Sequence, residues 1–191
     1  MFKKFTAIIF LLIPIIALCQ KNISADSNLI FWSPDRNLRV DDFNIITSNT
    51  NNDIGTYSLG QFSYDYKNIV TRFGFGLSKD YKKRIRNYFI KSASWIDTTY
   101  DTATSLLYQQ TCWNLYEVYI RKLRKSIYEK RKHLKTQEDY EVINTEIITA
   151  LSKRRMEYDT NTAFGTIPEK QKEWEAEIAK ELNELKDYTA E

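Results

Sequence analysis

The sequence has one histidine, His133, and two cysteines, Cys19 and Cys112, among 191 residues. A catalytic zinc centre built on imidazoles needs at least two His and a third ligand, so one His excludes it. Two cysteines exclude a four-thiolate zinc site and a disulfide-rich scaffold. Five Gly and three Pro exclude a collagen-like or glycine-linker chain. Neither G-x-x-x-x-G-K-[ST] nor G-x-G-x-x-G occurs, which leaves phosphate-cradling nucleotide loops without support. Beyond the first twenty residues no apolar run is long enough to span a bilayer. What is present is 42% hydrophobic and 14% aromatic, ample for a core in a chain whose length suits one domain.

The chain opens with Lys3 and Lys4, then an apolar stretch from Phe5 to Leu18 interrupted by Pro14, then Ala17-Leu18-Cys19. A positive start, a short apolar run and small residues at a cleavage position are the three parts of a secretory signal peptide. Residues 1–19 are therefore read as that signal and 20–191 as an exported single domain, periplasmic, surface-bound or released. Two alternatives stay open: lipidation of Cys19, against which Leu18 is large for a lipoprotein site, and an uncleaved anchor. Membrane attachment is expected only through one of these. Removing the signal leaves 26 basic and 25 acidic residues, a balance of +1, which gives no electrostatic drive toward nucleic acid. Cys112 is then the one thiol, and no intramolecular disulfide is expected.

The mature chain changes character near residue 97. Up to there it is rich in Phe, Tyr, Ile, Thr and Asn; beyond it Glu, Lys, Leu and Ile dominate. The reading is an α+β fold, N-terminal antiparallel strands packed on three C-terminal helices. Leu29 to Trp32 is expected as the first strand, Asp41 to Asp53 as turn-rich, and Thr47 to Asp53 as a loop. Tyr57 to Tyr66 alternates as a strand does. Ile69–Leu77 and Tyr81–Ile90 are expected as two more strands joined at Ser78-Lys79-Asp80, the second half-exposed or at an edge.

A helix should start after Thr98 or Thr99 and run to Lys135, with Leu115, Tyr119, Leu123, Ile127 and Leu134 on its apolar stripe and Cys112 and Tyr116 nearby. Thr136 and Asp139 form a capping box for a second helix ending near Asp159. Pro168 opens a third, with Trp174, Ile178, Leu182 and Leu185 inward. The basic run Arg121 to Lys135 reads as a solvated helix face, and the strand aromatics read as packing.

Four pieces occur in a telling order: Trp32-Ser33-Pro34-Asp35-Arg36-Asn37-Leu38-Arg39-Val40-Asp41-Asp42-Phe43; then Tyr88-Phe89 and Ser94-Trp95-Ile96; then Glu117, Tyr119 and Arg121-Lys122-Leu123-Arg124; then Tyr158-Asp159, Thr162, Gly165, Gln171, Trp174 and Ile178. Together they resemble a bacterial family of uncharacterised, predicted secreted zinc-dependent peptidases of the H-E-x-x-H type. The resemblance covers roughly residues 29 to 180 and implies a zincin-like fold. In that motif two His at i and i+4 hold zinc and the Glu polarises the metal-bound water.

On this alignment the motif falls on Tyr108-Gln109-Gln110-Thr111-Cys112. Tyr108 and Cys112 stand for the two His, Gln109 for the Glu, Asn114 for a following Asp, and Phe164 for a late third ligand. A neutral amide is no general base, and Phe164 has no lone pair. No metal and no cofactor are expected. The resemblance therefore implies a non-catalytic pseudo-peptidase that binds a peptide or envelope protein or serves as an accessory. Two other readings stand beside it: a hydrolase with an altered site at Cys112, Glu117 or Asp159, and a structural envelope protein docked on a partner.

Overall fold

The computed structural model describes residues 28–46, 57–66, 69–70 and 76–190. The expected signal segment, the loop Thr47–Asp53 and most of the expected strand Ile69–Leu77 lie outside the described residues. The fold is α+β. Two three-stranded sheets lie N-terminal to three long helices. The strands are β1 (Leu29–Phe31), β2 (Asn44–Ile46), β3 (Ser58–Leu59), β4 (Phe62–Asp65), β5 (Arg86–Ile90) and β6 (Trp95–Asp97). The helices are a single turn α1 (Tyr81–Arg84), then α2 (Thr102–Lys130), α3 (Gln137–Thr162) and α4 (Pro168–Glu184). One sheet has the order β1-β5-β4, antiparallel throughout; the other has β2-β6-β3, with β2 parallel to β6.

The expected strand over 57–66 is two strands in two sheets. The break falls at Gly60, where a Cβ would lie 2.5 Å from Gln109 Oε1 and 2.6 Å from the Phe62 ring. Only a residue without a side chain lets the backbone pass this close to α2. Past it the chain changes partners: Ser58 and Leu59 pair with β6, while Phe62 to Asp65 pair with β5. Ser94, fully buried, ties the two sheets, accepting the Gln61 N–H at 2.9 Å and donating to Ile90 O at 2.7 Å.

Tyr81 to Arg84 is a helical turn rather than strand. Asp80 at its head pairs with Arg84 one turn on, at 2.8 Å, which favours local helix over extension. β5 begins only at Arg86 and is the central strand of its sheet, not an edge, with Asn87 and Phe89 buried. Within the turn-rich segment, Val40–Asp42 forms a 3-10 turn that leads into β2.

The opening element is a self-locked loop. One Arg36 guanidinium nitrogen donates to both Asp42 carboxylate oxygens at 2.7 Å, and Arg39 N–H donates to the same group at 2.8 Å. The loop docks on α2 through polar contacts: Leu38 N–H to Gln110 Oε1 at 2.8 Å and Trp32 Nε1–H to Asn114 Oδ1 at 2.9 Å. Leu38 and Phe43 fill the core beneath.

α2 is capped by Asp101, whose carboxylate accepts Ala103 and Thr104 N–H groups at 3.1 Å. Neither Thr98 nor Thr99 takes that place. Thr99 instead donates to Asp97, closing an Asx-type turn. α2 ends at Lys130, and α3 runs to Thr162, one turn short of and one turn past expectation. The Thr136–Asp139 capping box and Pro168 at the first position of α4 are present as read. Among the described residues no helix is long and apolar enough to cross a membrane.

Candidate functional site

Tyr108 sits on α2 where α3 ends. Its hydroxyl donates to Asp159 Oδ1 at 2.6 Å and accepts from Arg155 Nη2 at 2.9 Å. Arg155 Nε–H also reaches Asp159, at 2.7 Å. The Tyr108 ring stacks on Tyr158 at 5.4 Å and meets the edge of Phe164 at 6.2 Å. Phe164 is held there by a turn in which Ala163, Phe164 and Gly165 all have positive φ, 45°, 57° and 85°. A Cβ at Gly165 would lie 2.7 Å from Tyr108 Cβ. Thr162 fastens the turn by accepting the Gly165 N–H at 3.0 Å and donating to Tyr158 O at 2.8 Å.

Cys112 lies one turn along α2 from Tyr108 and is fully buried. Burial pushes its thiol up to about 12, with nearby Arg155 opposing. Burial also raises the phenols of Tyr108 and Tyr158. At neutral pH the thiol is therefore protonated, the opposite of what a nucleophile needs. The one carboxylate at hand, Asp159, is engaged with Arg155 and Tyr108.

Gln109 faces elsewhere. It is 1% exposed, and its amide nitrogen donates to Ser58 O and Oγ in β3 at 3.2 and 3.0 Å. Of the four positions read from the sequence, the structure brings Tyr108, Cys112 and Phe164 to one spot and turns Gln109 into the strand layer. Among the described residues no group of three His, Cys, Asp or Glu side chains is placed to hold a metal ion. Two surface cavities, about 510 and 400 Å³, lie beside Asp41 and Lys91 and over Trp174; neither is lined by these four residues.

Arg155 and Tyr158 were missed as members of this cluster. Their signal was available, since Arg155, Tyr158 and Asp159 recur at i, i+3 and i+4 on one face of α3. Tyr158 extends the network: its hydroxyl donates to Gln171 at 2.7 Å, and Gln171 donates to Thr111 at 2.9 Å.

The basic run of α2 is not a uniformly solvated face. Arg121 and Arg124 are 4% and 0% exposed, around Glu117 at 1%. Glu117 Oε1 accepts from Arg121 Nε at 3.2 Å and Arg124 Nη1 at 2.8 Å. Further donors go to main-chain carbonyls: Arg121 to Leu182 at 2.6 Å, and Arg124 to Ile85 at 2.8 Å and Tyr188 at 3.0 Å. Glu117 thus clamps α4 and the C-terminal turn onto α2, a structural use of a carboxylate considered for catalysis. His133 is exposed in the turn just beyond the end of α2, at the far end of that helix from Cys112.

No family model, curated protein or solved structure matches this chain. The likeness to H-E-x-x-H peptidases therefore rests on the sequence motifs alone.

Proposed function

We propose that this is an exported, non-catalytic protein on a peptidase-like scaffold, acting in the cell envelope by binding or as an accessory. The observation that carries the reading is the meeting of Tyr108, Cys112 and Phe164, the positions that the resemblance assigns to metal ligands. Two of these side chains are nearly or fully buried and the third lies edge-on to Tyr108. The polar groups beside it, Asp159 and Arg155, neutralise each other and hold the Tyr108 hydroxyl. A zinc ligand donates a lone pair, as an imidazole or a thiolate does; the Phe164 ring has none, burial keeps the Cys112 thiol protonated, and the Tyr108 phenol is engaged by Asp159 and Arg155. The signal-like start supplies the export part of the proposal, through the same three-part pattern described above.

The test uses residues 20–191 purified without chelator. Elemental analysis is expected to find metal well below one equivalent, and a panel of unstructured peptides is expected to survive incubation uncut. Stoichiometric zinc together with peptide-bond hydrolysis that a chelator abolishes would overturn the proposal.

A further inference from the structure

The near-neutral charge of the chain hides a one-sided surface. Between Lys79 and Arg84 there are four cations and one acid, and between Lys125 and Lys132 again four cations and one acid, a joint surplus of +6 in a chain whose total is +3. Everything else is net negative. The fold brings these two segments together. Tyr81 of α1 stacks on Tyr128 of α2 at 6.1 Å, and Arg131 lies over the Tyr128 ring at 4.0 Å. Lys82 crosses to the C-terminal turn, donating to Asp187 O at 3.0 Å.

Some of this charge has a local partner: Arg84 with Asp80, Lys125 with Glu129 at 4.0 Å, and Lys130 with Glu146 at 3.7 Å. Lys79, Lys83 and Lys132 are exposed, and among the described residues neither they nor Arg131 form an ion pair. Two acids begin α3, Glu138 and Asp139, so the surplus is carried by α1 and the C-terminal end of α2 rather than by the start of α3. At the centre, Tyr128 is 42% exposed, an amphipathic ring held between Tyr81 and the Arg131 guanidinium. That is the composition of surfaces that settle at a headgroup layer: the ring enters the interface while long cationic side chains reach anionic phosphates.

We infer that this face, α1 with the C-terminal end of α2, docks peripherally on an anionic phospholipid surface. The inference adds a partner to the exported reading and does not depend on whether the protein is catalytic. Each cation near such a surface is worth about fivefold in partitioning. Losing three should therefore cost on the order of a hundredfold.

The experiment is co-sedimentation of residues 20–191 with vesicles of phosphatidylcholine alone and of phosphatidylcholine mixed with phosphatidylglycerol. Binding is expected only to the mixed vesicles, and its loss is expected near 1 M salt, where screening shrinks to about 3 Å. The triple variant Lys83→Gln, Arg131→Gln, Lys132→Gln should lose it. A charge-matched variant on α4, Lys170→Gln, Lys172→Gln, Lys180→Gln, should keep it. Circular dichroism melts establish that both variants are folded. No binding to mixed vesicles at low salt, equal loss in both variants, or binding to heparin but not to vesicles would each overturn the inference. Metal content measured on the same sample reports separately on the non-catalytic reading.

Discussion

Replacing Glu117 with Gln removes the one carboxylate between two buried guanidiniums and leaves their shape-complementary surroundings in place. Arg121 and Arg124, 4% and 0% exposed, then face each other with only carbonyl oxygens as acceptors. Burial already pulls the Arg124 guanidinium down from its ordinary value, with Glu117 as the main opposing influence. Removing one member of a buried ion pair costs about 3–5 kcal/mol, because the remaining charge stays desolvated and unpaired. Two charges share the loss here, so the upper half of that range is expected. A domain of ordinary stability has only about 5–15 kcal/mol in total.

Urea unfolding followed by circular dichroism checks this. With a slope of about 2 kcal/mol per molar, the midpoint of Glu117→Gln should fall by about 2 M. Glu117→Asp keeps the charge but shortens its reach and should fall between the variant and the parent. Lys125→Gln loses only a 4.0 Å contact between half-exposed partners and should move the midpoint little, since such pairs contribute little. A loss under about 1 kcal/mol in Glu117→Gln would refute the reasoning, because leaving two buried guanidiniums without their carboxylate cannot be that cheap.

Two further outcomes follow from the Tyr108 corner. Gly165→Ala should destabilise by about 2–4 kcal/mol, from left-handed strain plus overpacking on Tyr108; Gly76→Ala, at nearly the same φ of 84° but with open space around it, should cost only the strain, and equal effects in calorimetry would contradict the close contact. Cys112 should resist thiol reagents in the native state, and its raised thiol makes stability fall in alkali. The unfolded thiol ionises near 8.5 and the folded one near 12, so its contribution is complete below the first value and disappears as pH rises toward the second. Tyr64 and Tyr81, pushed up to about 12 by burial, add to the same fall above 10. Cys112→Ala should delay the alkaline onset in a pH series of melts; an unchanged onset would remove the thiol from the account.

The helical half was legible because its signals are local. Thr136 with Asp139 and Pro168 each name a helix start within four residues, and the structure uses both. The cap of α2 was harder, since Asp97, Thr98, Thr99 and Asp101 all carry the right chemistry. The choice fell to Asp101 because Asp97 is drawn into pairing with β2 and into its own turn with Thr99. The strand half was legible only as composition. That Tyr57 to Tyr66 serves two sheets depends on Gly60 meeting Gln109 across 49 residues of sequence, a contact no periodicity encodes. Likewise Lys82, Arg84 and Arg86 look like the outward positions of an edge strand, yet the Asp80–Arg84 pair curls the first two into a turn.

The candidate site shows the same division between what a helix fixes and what only packing fixes. Positions 108 and 112 must share a face of α2, four residues apart, and position 109 must point about 100° away from 108. That rotation carries Gln109 to Ser58 and away from Tyr108. The meeting of Phe164 with Tyr108 is a tertiary fact, set by three successive left-handed residues. Charge is where averaging misled most. A run of cations spread along α2 was read as one solvated face because the chain sums to nearly zero. The helix period splits it: Arg121 and Arg124 turn inward onto Glu117, while Arg131 and Lys132, beyond the buried stretch, join the cations of α1. One run of sequence thus makes both the most deeply buried charges described and the rim of the most basic surface, and the two should respond oppositely to salt. Screening reaches the exposed set within a Debye length and leaves the buried clamp almost untouched.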